Sequence, residues 1–155
     1  RILCYHNVAP AENDFLRGLA MTVTPATFER QLRYLANEFR VVPLSQMLAE
    51  LHGGSMPPRT VALTFDDGYR DLFEHAFPLL RQYDMPATIF VNPAVVDSTR
   101  KLWPNQVAYL VNRLGPATVI DAAPAWFIDG NRLDVSPGRP KGRKTGHRAR
   151  VDPRT

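Results

Sequence analysis

The stretch RTVALTFDDGYRD, residues 59–71, sets apolar Val61, Leu63 and Phe65 in alternation with Ala62 and Thr64, then ends on two acids and a glycine. Strand-compatible residues on both parities predict a strand buried on both faces. Upstream, RILCY at residues 1–5 predicts a short apolar strand with His6 and Asn7 at its end. Thr24 followed by Pro25 is a helix-start signal, and Phe28, Leu32, Leu35 with Tyr34 and Phe39 give the 3.6-residue stripe of an amphipathic helix. Val41 and Val42 predict a brief strand. Ser45 is then expected to cap a second helix that Gly53 and Gly54 terminate. After Gly68 the pattern YRDLFEHAFPLLRQYD is helical but holds Pro78, which splits it into a short turn and a helix beginning near Phe77. MPATIFVN, residues 85–92, predicts the next buried strand. Trp103 and Pro104 open a further helix to about Leu114, with Val107, Leu110, Val111 and Leu114 on one side.

Strand, helix and strand joined by short connections imply parallel neighbours and a right-handed crossover, so the fold class is α/β, a sheet or a barrel. In both, ligands gather at the carboxyl ends of the strands, where Asp66 and Asp67 stand. Short strands are expected at 117–121 and 125–128. Beyond Asp134 the text SPGRPKGRKTGHRARVDPRT carries almost no apolar residues, so one domain over 1–134 and a disordered tail over 135–155 are expected.

Composition narrows the function classes. At 155 residues and 45% hydrophobic the chain can bury one real core. No apolar run reaches the roughly 20 residues that cross a bilayer, so no membrane span is expected. The net charge of +4 is a property of the tail: residues 137–155 hold seven Lys or Arg and one Asp, which leaves the rest at −2. A slightly acidic body is a poor nucleic-acid surface, so no nucleic-acid partner is expected. Cys4 is the sole cysteine, which excludes an internal disulfide and a cysteine-built zinc site, and its apolar strand predicts a buried small residue.

The chemistry is expected at the acid pair. Successive strand side chains point to opposite faces, so the two carboxylates should meet different surroundings and take different roles. One can hold a cation while the other takes a proton from a bound water. Gly68 can supply the positive φ that a sharp exit from the sheet needs.

Taken together, ILCYHNV, TPATFERQLRYLANEFRVVPLSQML, VALTFDDGYRD, MPATIFVNP and KLWPNQV, in that order, resemble the amino-terminal half of polysaccharide deacetylases with a NodB homology domain, the fourth carbohydrate esterase family. The resemblance covers roughly residues 1–114. It implies a distorted (β/α) barrel of the glycoside hydrolase/deacetylase type, incomplete in this chain. It also implies hydrolysis of N-acetyl groups on an amino-sugar polymer with a divalent metal, usually zinc. By position in the motif, Asp66 would be the general base and Asp67 the metal ligand, with His6 an active-site neighbour. The partner would be an N-acetylated polysaccharide, and the resemblance suggests an extracytoplasmic or cell-envelope setting.

The chain departs from the family at the downstream histidine pair, HSxxH or HTxxH, that completes the metal site. Its four histidines, His6, His52, His75 and His147, include no pair three or four residues apart. His75 is expected on the solvent side of its helix. The metal ligand set is therefore expected to be incomplete, the chain a truncated or frame-altered piece, and its activity alone little or none. The alternative is a non-catalytic carbohydrate-binding or interaction module on the same fold. Haloacid-dehalogenase-type phosphotransferases space their two acids one residue apart, and receiver domains need a further Asp and a Lys that MPATIFVN lacks.

Overall fold

In the computed structural model, which describes residues 1–96 and 98–119, strands β1 (Ile2–Tyr5), β2 (Asn7–Val8) and β3 (Thr22–Val23) lead into helix α1 (Pro25–Glu38). Strand β4 (Arg40–Val41), helix α2 (Leu44–His52) and strand β5 (Thr60–Phe65) follow. A π turn over Leu72–Ala76 then passes directly into α3 (Phe77–Gln82), and β6 (Ala87–Ile89) and α4 (Trp103–Leu114) complete the order.

The sheet is built on β5, buried at all six positions. β1 runs parallel along one edge, pairing Leu3 with Leu63 and Tyr5 with Phe65. β4 and β6 run parallel along the other, beside Thr60–Val61 and Leu63–Phe65 respectively. The α/β class with parallel strands therefore holds, and among the described residues the sheet is open beyond β1 and β6.

Alternation along β5 assigns its two faces. Val61, Leu63 and Phe65 pack on Phe28, Leu32 and Leu35 of α1 and on Leu72, Ala76 and Leu80, while Ala62 packs with Val42 and Met47 on the other side. Phe28 and Phe65 are fully buried and meet edge to face at 5.9 Å, with Tyr5 at 5.1 and 5.4 Å from the two rings. Burying one such aromatic contributes about 2–3 kcal/mol.

The helix signals were read correctly at α1, where the Thr24 hydroxyl accepts from the Thr27 N–H at 3.3 Å. Pro78 splits the next helix as expected. It has no N–H for the Glu74 carbonyl, and the backbone widens so that the Phe77 N–H donates to the Leu72 carbonyl five residues back.

Several expectations are corrected. Ser45 lies inside the first turn of α2, because the Pro43 carbonyl already accepts from Met47 N–H at 3.0 Å and makes Pro43 the cap. The strand expected over 85–92 is only Ala87–Ile89 and is not buried: Ile89, Phe90 and Val91 are exposed because β6 is an edge strand. On α4 the buried residues are Asn105, Ala108 and Leu110, while Val107 and Leu114 are exposed, so only part of the apolar stripe is packed. Residues 116–119 are helical after Pro116 rather than the start of a strand. The strand expected at 125–128, the domain boundary at 134 and the tail lie outside the described residues.

Candidate active site

β5 ends where the Asp66 N–H donates to the Tyr5 carbonyl at 2.9 Å, so Asp66 is the first residue past the paired strand and stands beside the end of β1. The chain then turns sharply. Asp67 adopts φ +70° and Gly68 φ +68°, two consecutive left-handed residues, and the Gly68 N–H closes the turn on the Asp66 carbonyl at 2.9 Å. Glycine takes this conformation without steric penalty, whereas aspartate tolerates it at some cost. A strained non-glycine residue at a strand end is a common mark of a functional position. Gly68 is needed for a second reason. A Cβ there would stand 2.8 Å from Val91 Cγ1 in the segment after β6.

The two half-buried carboxylates meet different neighbours, as expected, but through this turn rather than through strand alternation. Asp66 faces β1. Its Oδ2 accepts from Cys4 Sγ at 3.3 Å and lies 3.9 Å from His6 Nε2. Cys4 lies in β1 and His6 directly follows its end, and both come to the same oxygen. Asp67 instead neighbours the Tyr69 side chain. Burial pushes the Tyr69 phenol up and the Asp67 carboxylate pushes it the same way, against a hydrogen bond from the phenol to Asn105 Oδ1 at 3.0 Å.

The structure thus brings His6 to Asp66 and adds three residues not expected at the site from the sequence: Cys4, Tyr69 and Asn105. Cys4 is a correction, being exposed rather than buried, because β1 is an edge strand and the side bearing Ile2 and Cys4 is uncovered among the described residues. Its i−2 spacing from His6 was the available signal. Partial desolvation and then the Asp66 hydrogen bond push the Cys4 thiol up. Tyr69 directly follows the acid motif, but nothing in the sequence joins it to Asn105 across 36 residues.

Among the described residues, no group of three converging metal-ligand side chains includes Asp66 or Asp67. The one such group is Asp71, Glu74 and His75, one turn further on, and its Glu74 carboxylate is held by Arg70 at 2.6 Å. His75 is half-buried rather than solvent-facing. A catalytic zinc takes roughly three protein ligands and Asp67 could offer only one, so the described residues do not by themselves fit the ion.

Parallel strands with acidic side chains at the carboxyl end of the central strand define an α/β domain of the class that does its chemistry at strand ends. Residues 53–115 match the family model described as polysaccharide deacetylase. The poly-beta-1,6-N-acetyl-D-glucosamine N-deacetylase of Staphylococcus epidermidis is 31% identical over 107 residues, covering 63% of this chain and 37% of the relative. The enzyme of the same name from Staphylococcus aureus is 30% identical over 99 residues, covering 57% and 34%. The solved structure of IcaB from Ammonifex degensii aligns with TM-score 0.54 and 28% identity over 73% of this chain and 48% of that one. The Streptococcus pyogenes deacetylase PplD, solved with acetate, aligns with TM-score 0.55 over 70% and 50% at 24% identity, a likeness of fold. Over these stretches the chain resembles polysaccharide deacetylases, and it spans about a third of the length of the curated relatives it matches.

Proposed function

We propose that this chain is the acid-bearing part of a metal-dependent hydrolase that removes N-acetyl groups from an amino-sugar polymer, with poly-β-1,6-N-acetylglucosamine the substrate class its relatives' names suggest. In this reading the open parallel sheet is the first portion of a distorted (β/α) barrel. Asp66 is the general base, Asp67 supplies one ligand to a divalent ion such as zinc, and further ligands come from outside the described residues. The observation that carries the reading is the placement of Asp66 and Asp67 in a sharp turn at the end of the central parallel strand, inside the matched residues 53–115.

The chain's own part in the chemistry follows from that placement. Water attacks the amide carbonyl while Asp66 accepts its proton, the C–N bond breaks, and acetate and a free amine leave, the proton passing to the amine. Cys4 donates to Asp66 Oδ2 at 3.3 Å with His6 Nε2 3.9 Å away, and among the described residues the other carboxylate oxygen has no hydrogen-bond partner and can meet the water. A group oriented before the reaction avoids reorganisation during it.

The test grafts residues 1–115 of this chain onto the remainder of the Staphylococcus epidermidis relative and follows free-amine release from a β-1,6-linked N-acetylglucosamine pentamer, with the 155-residue chain alone as control. Activity in the graft and little in the chain alone are expected, with Asp66→Asn and Asp67→Ala each lowering the graft's rate by about a hundredfold or more. A folded graft whose turnover survives both substitutions overturns the assignment. The lack of a three-ligand set around Asp67 among the described residues favours one second reading, a non-catalytic glycan-binding module. Glycan binding indifferent to chelator, with no amine release from a folded graft, would establish it.

A further inference from the structure

Beside the acid pair a cleft of about 280 Å3 opens between the loop at 13–16 and the start of α4. Tyr69 and the buried Asn105 form its floor, and Phe15, Arg70, Asp71 and Lys101 stand around it. We propose that this cleft holds one sugar ring of the polymer, the residue next to the one whose N-acetyl group reaches Asp66 and Asp67. The position relative to the acids rests on the deacetylase reading; the binding of a sugar ring rests on the cleft itself.

The chemistry of the wall selects the ligand class. Asp71 repels a small anion, and Arg70 and Lys101 repel a simple cation. A purely apolar ligand would cover Asp71 and Lys101 without giving either a polar partner, Arg70 being already paired with Glu74 at 2.6 Å. A hydroxyl-rich ring suits the set, because its hydroxyls can donate to Asp71 and accept from Lys101, whose ammonium stands 5.8 Å over the Phe15 ring. The volume, at the small end of ligand pockets, admits one ring rather than several.

The cleft is also held in shape. Asn105 donates to the Phe15 carbonyl at 3.1 Å while accepting from the Tyr69 hydroxyl at 3.0 Å. Asn112, further along α4, donates to the Asp14 and Arg17 carbonyls at 2.9 and 3.0 Å. Phe15 stacks on Tyr109 of the same helix, with centroids 4.5 Å apart and planes at 14°. Three side chains of α4 thus fix a loop that is distant in sequence, and Asn105 explains why a polar residue occupies the buried face of that helix. Tyr69 touches both regions, the cleft through Asn105 and the acid pair through Asp67. A ring on this floor lies one neighbour away from the acids.

The experiment titrates the 155-residue chain, without added metal and with chelator, with a β-1,6-linked N-acetylglucosamine trimer, read by amide chemical shifts and calorimetry. Saturable shifts at Phe15, Tyr69 and Lys101 and at the Asn105 side-chain amide are expected. Lys101→Ala and Asp71→Asn, which remove an exposed ammonium and a half-buried carboxylate outside the hydrogen bonds that anchor the loop, should each weaken binding about tenfold, the loss of one hydrogen bond to a charged group. Absence of these shifts at millimolar trimer, or unchanged affinity in both variants, overturns the proposal. So do equal shifts with inorganic phosphate, which would make the cleft an anion site. Because no metal or turnover enters this measurement, trimer binding here together with a graft indifferent to Asp66→Asn would sink the catalytic assignment alone.

Discussion

Gly68→Ala tests the turn that presents the acids. Two costs arise at one methyl group. The first is backbone: φ +68° penalises an L side chain by roughly 1–2 kcal/mol, offset by about 0.5 kcal/mol because alanine restricts the unfolded chain more than glycine does. The second is contact: the new Cβ would stand 2.8 Å from Val91 Cγ1, well inside van der Waals distance. Val91 is 58% exposed and can move outward, but as a β-branched side chain it must leave its rotamer, at about 1 kcal/mol. Gly68→Ala should therefore cost about 2 kcal/mol. Val91→Ala alone, at so exposed a position, should cost about 0.5 kcal/mol or less. In the double variant the contact cost disappears and the backbone cost stays, so a urea-unfolding cycle over the four proteins should show a coupling of about 1 kcal/mol. A coupling of zero, or a neutral Gly68→Ala, would mean that the turn after Asp66 does not adopt this conformation, and the separation of the two carboxylates would lose its structural cause.

Two further outcomes follow from the charges. The Cys4 thiol is pushed above its ordinary value by partial desolvation and by Asp66, so less of it is thiolate at mildly alkaline pH; iodoacetamide should modify it more slowly than free cysteine, and Asp66→Asn should accelerate the reaction, with an unchanged rate counting against the 3.3 Å contact. Arg40 holds the Glu50 carboxyl down to about 2 through hydrogen bonds of 2.6 and 2.8 Å between α2 and β4. A carboxyl depressed in the folded state stabilises it above the unfolded carboxyl's pKa and ceases to do so as pH falls through the folded value. The stability difference between the chain and Glu50→Gln should accordingly shrink as pH falls from about 5 towards 2, and a difference that grows would refute the pairing.

The features legible in the sequence are those decided within a few residues. Thr24 and Pro25 fix the start of α1 by a local cap, Pro78 forces the π turn by its missing N–H, and β5 declares itself because both its faces are apolar. What was misread depends on distant partners. Cys4 and the segment after Met85 are apolar strands by composition, yet both lie at sheet edges where nothing described covers them, and only the topology reveals that. On α4 the aliphatic stripe suggested a packed face. Leu110 of that stripe is buried, but the helix also turns Asn105 and Ala108 inward, since Asn105 links Tyr69 to the Phe15 carbonyl.

The acid pair combines both kinds of information. That two adjacent carboxylates would meet different surroundings was expected from strand alternation, but the strand is over by Asp66, and alternation no longer applies to Asp67. The separation comes from two left-handed residues in succession, one of which, Asp67, bears a side chain and therefore a steric penalty. A glycine at position 67 would make the same turn with less strain and would supply no carboxylate. The aspartate at this position thus trades some stability for a charged group beside Tyr69, while Asp66 remains with Cys4 and His6. Different neighbours for the two carboxylates are what the proposed division into base and ligand requires.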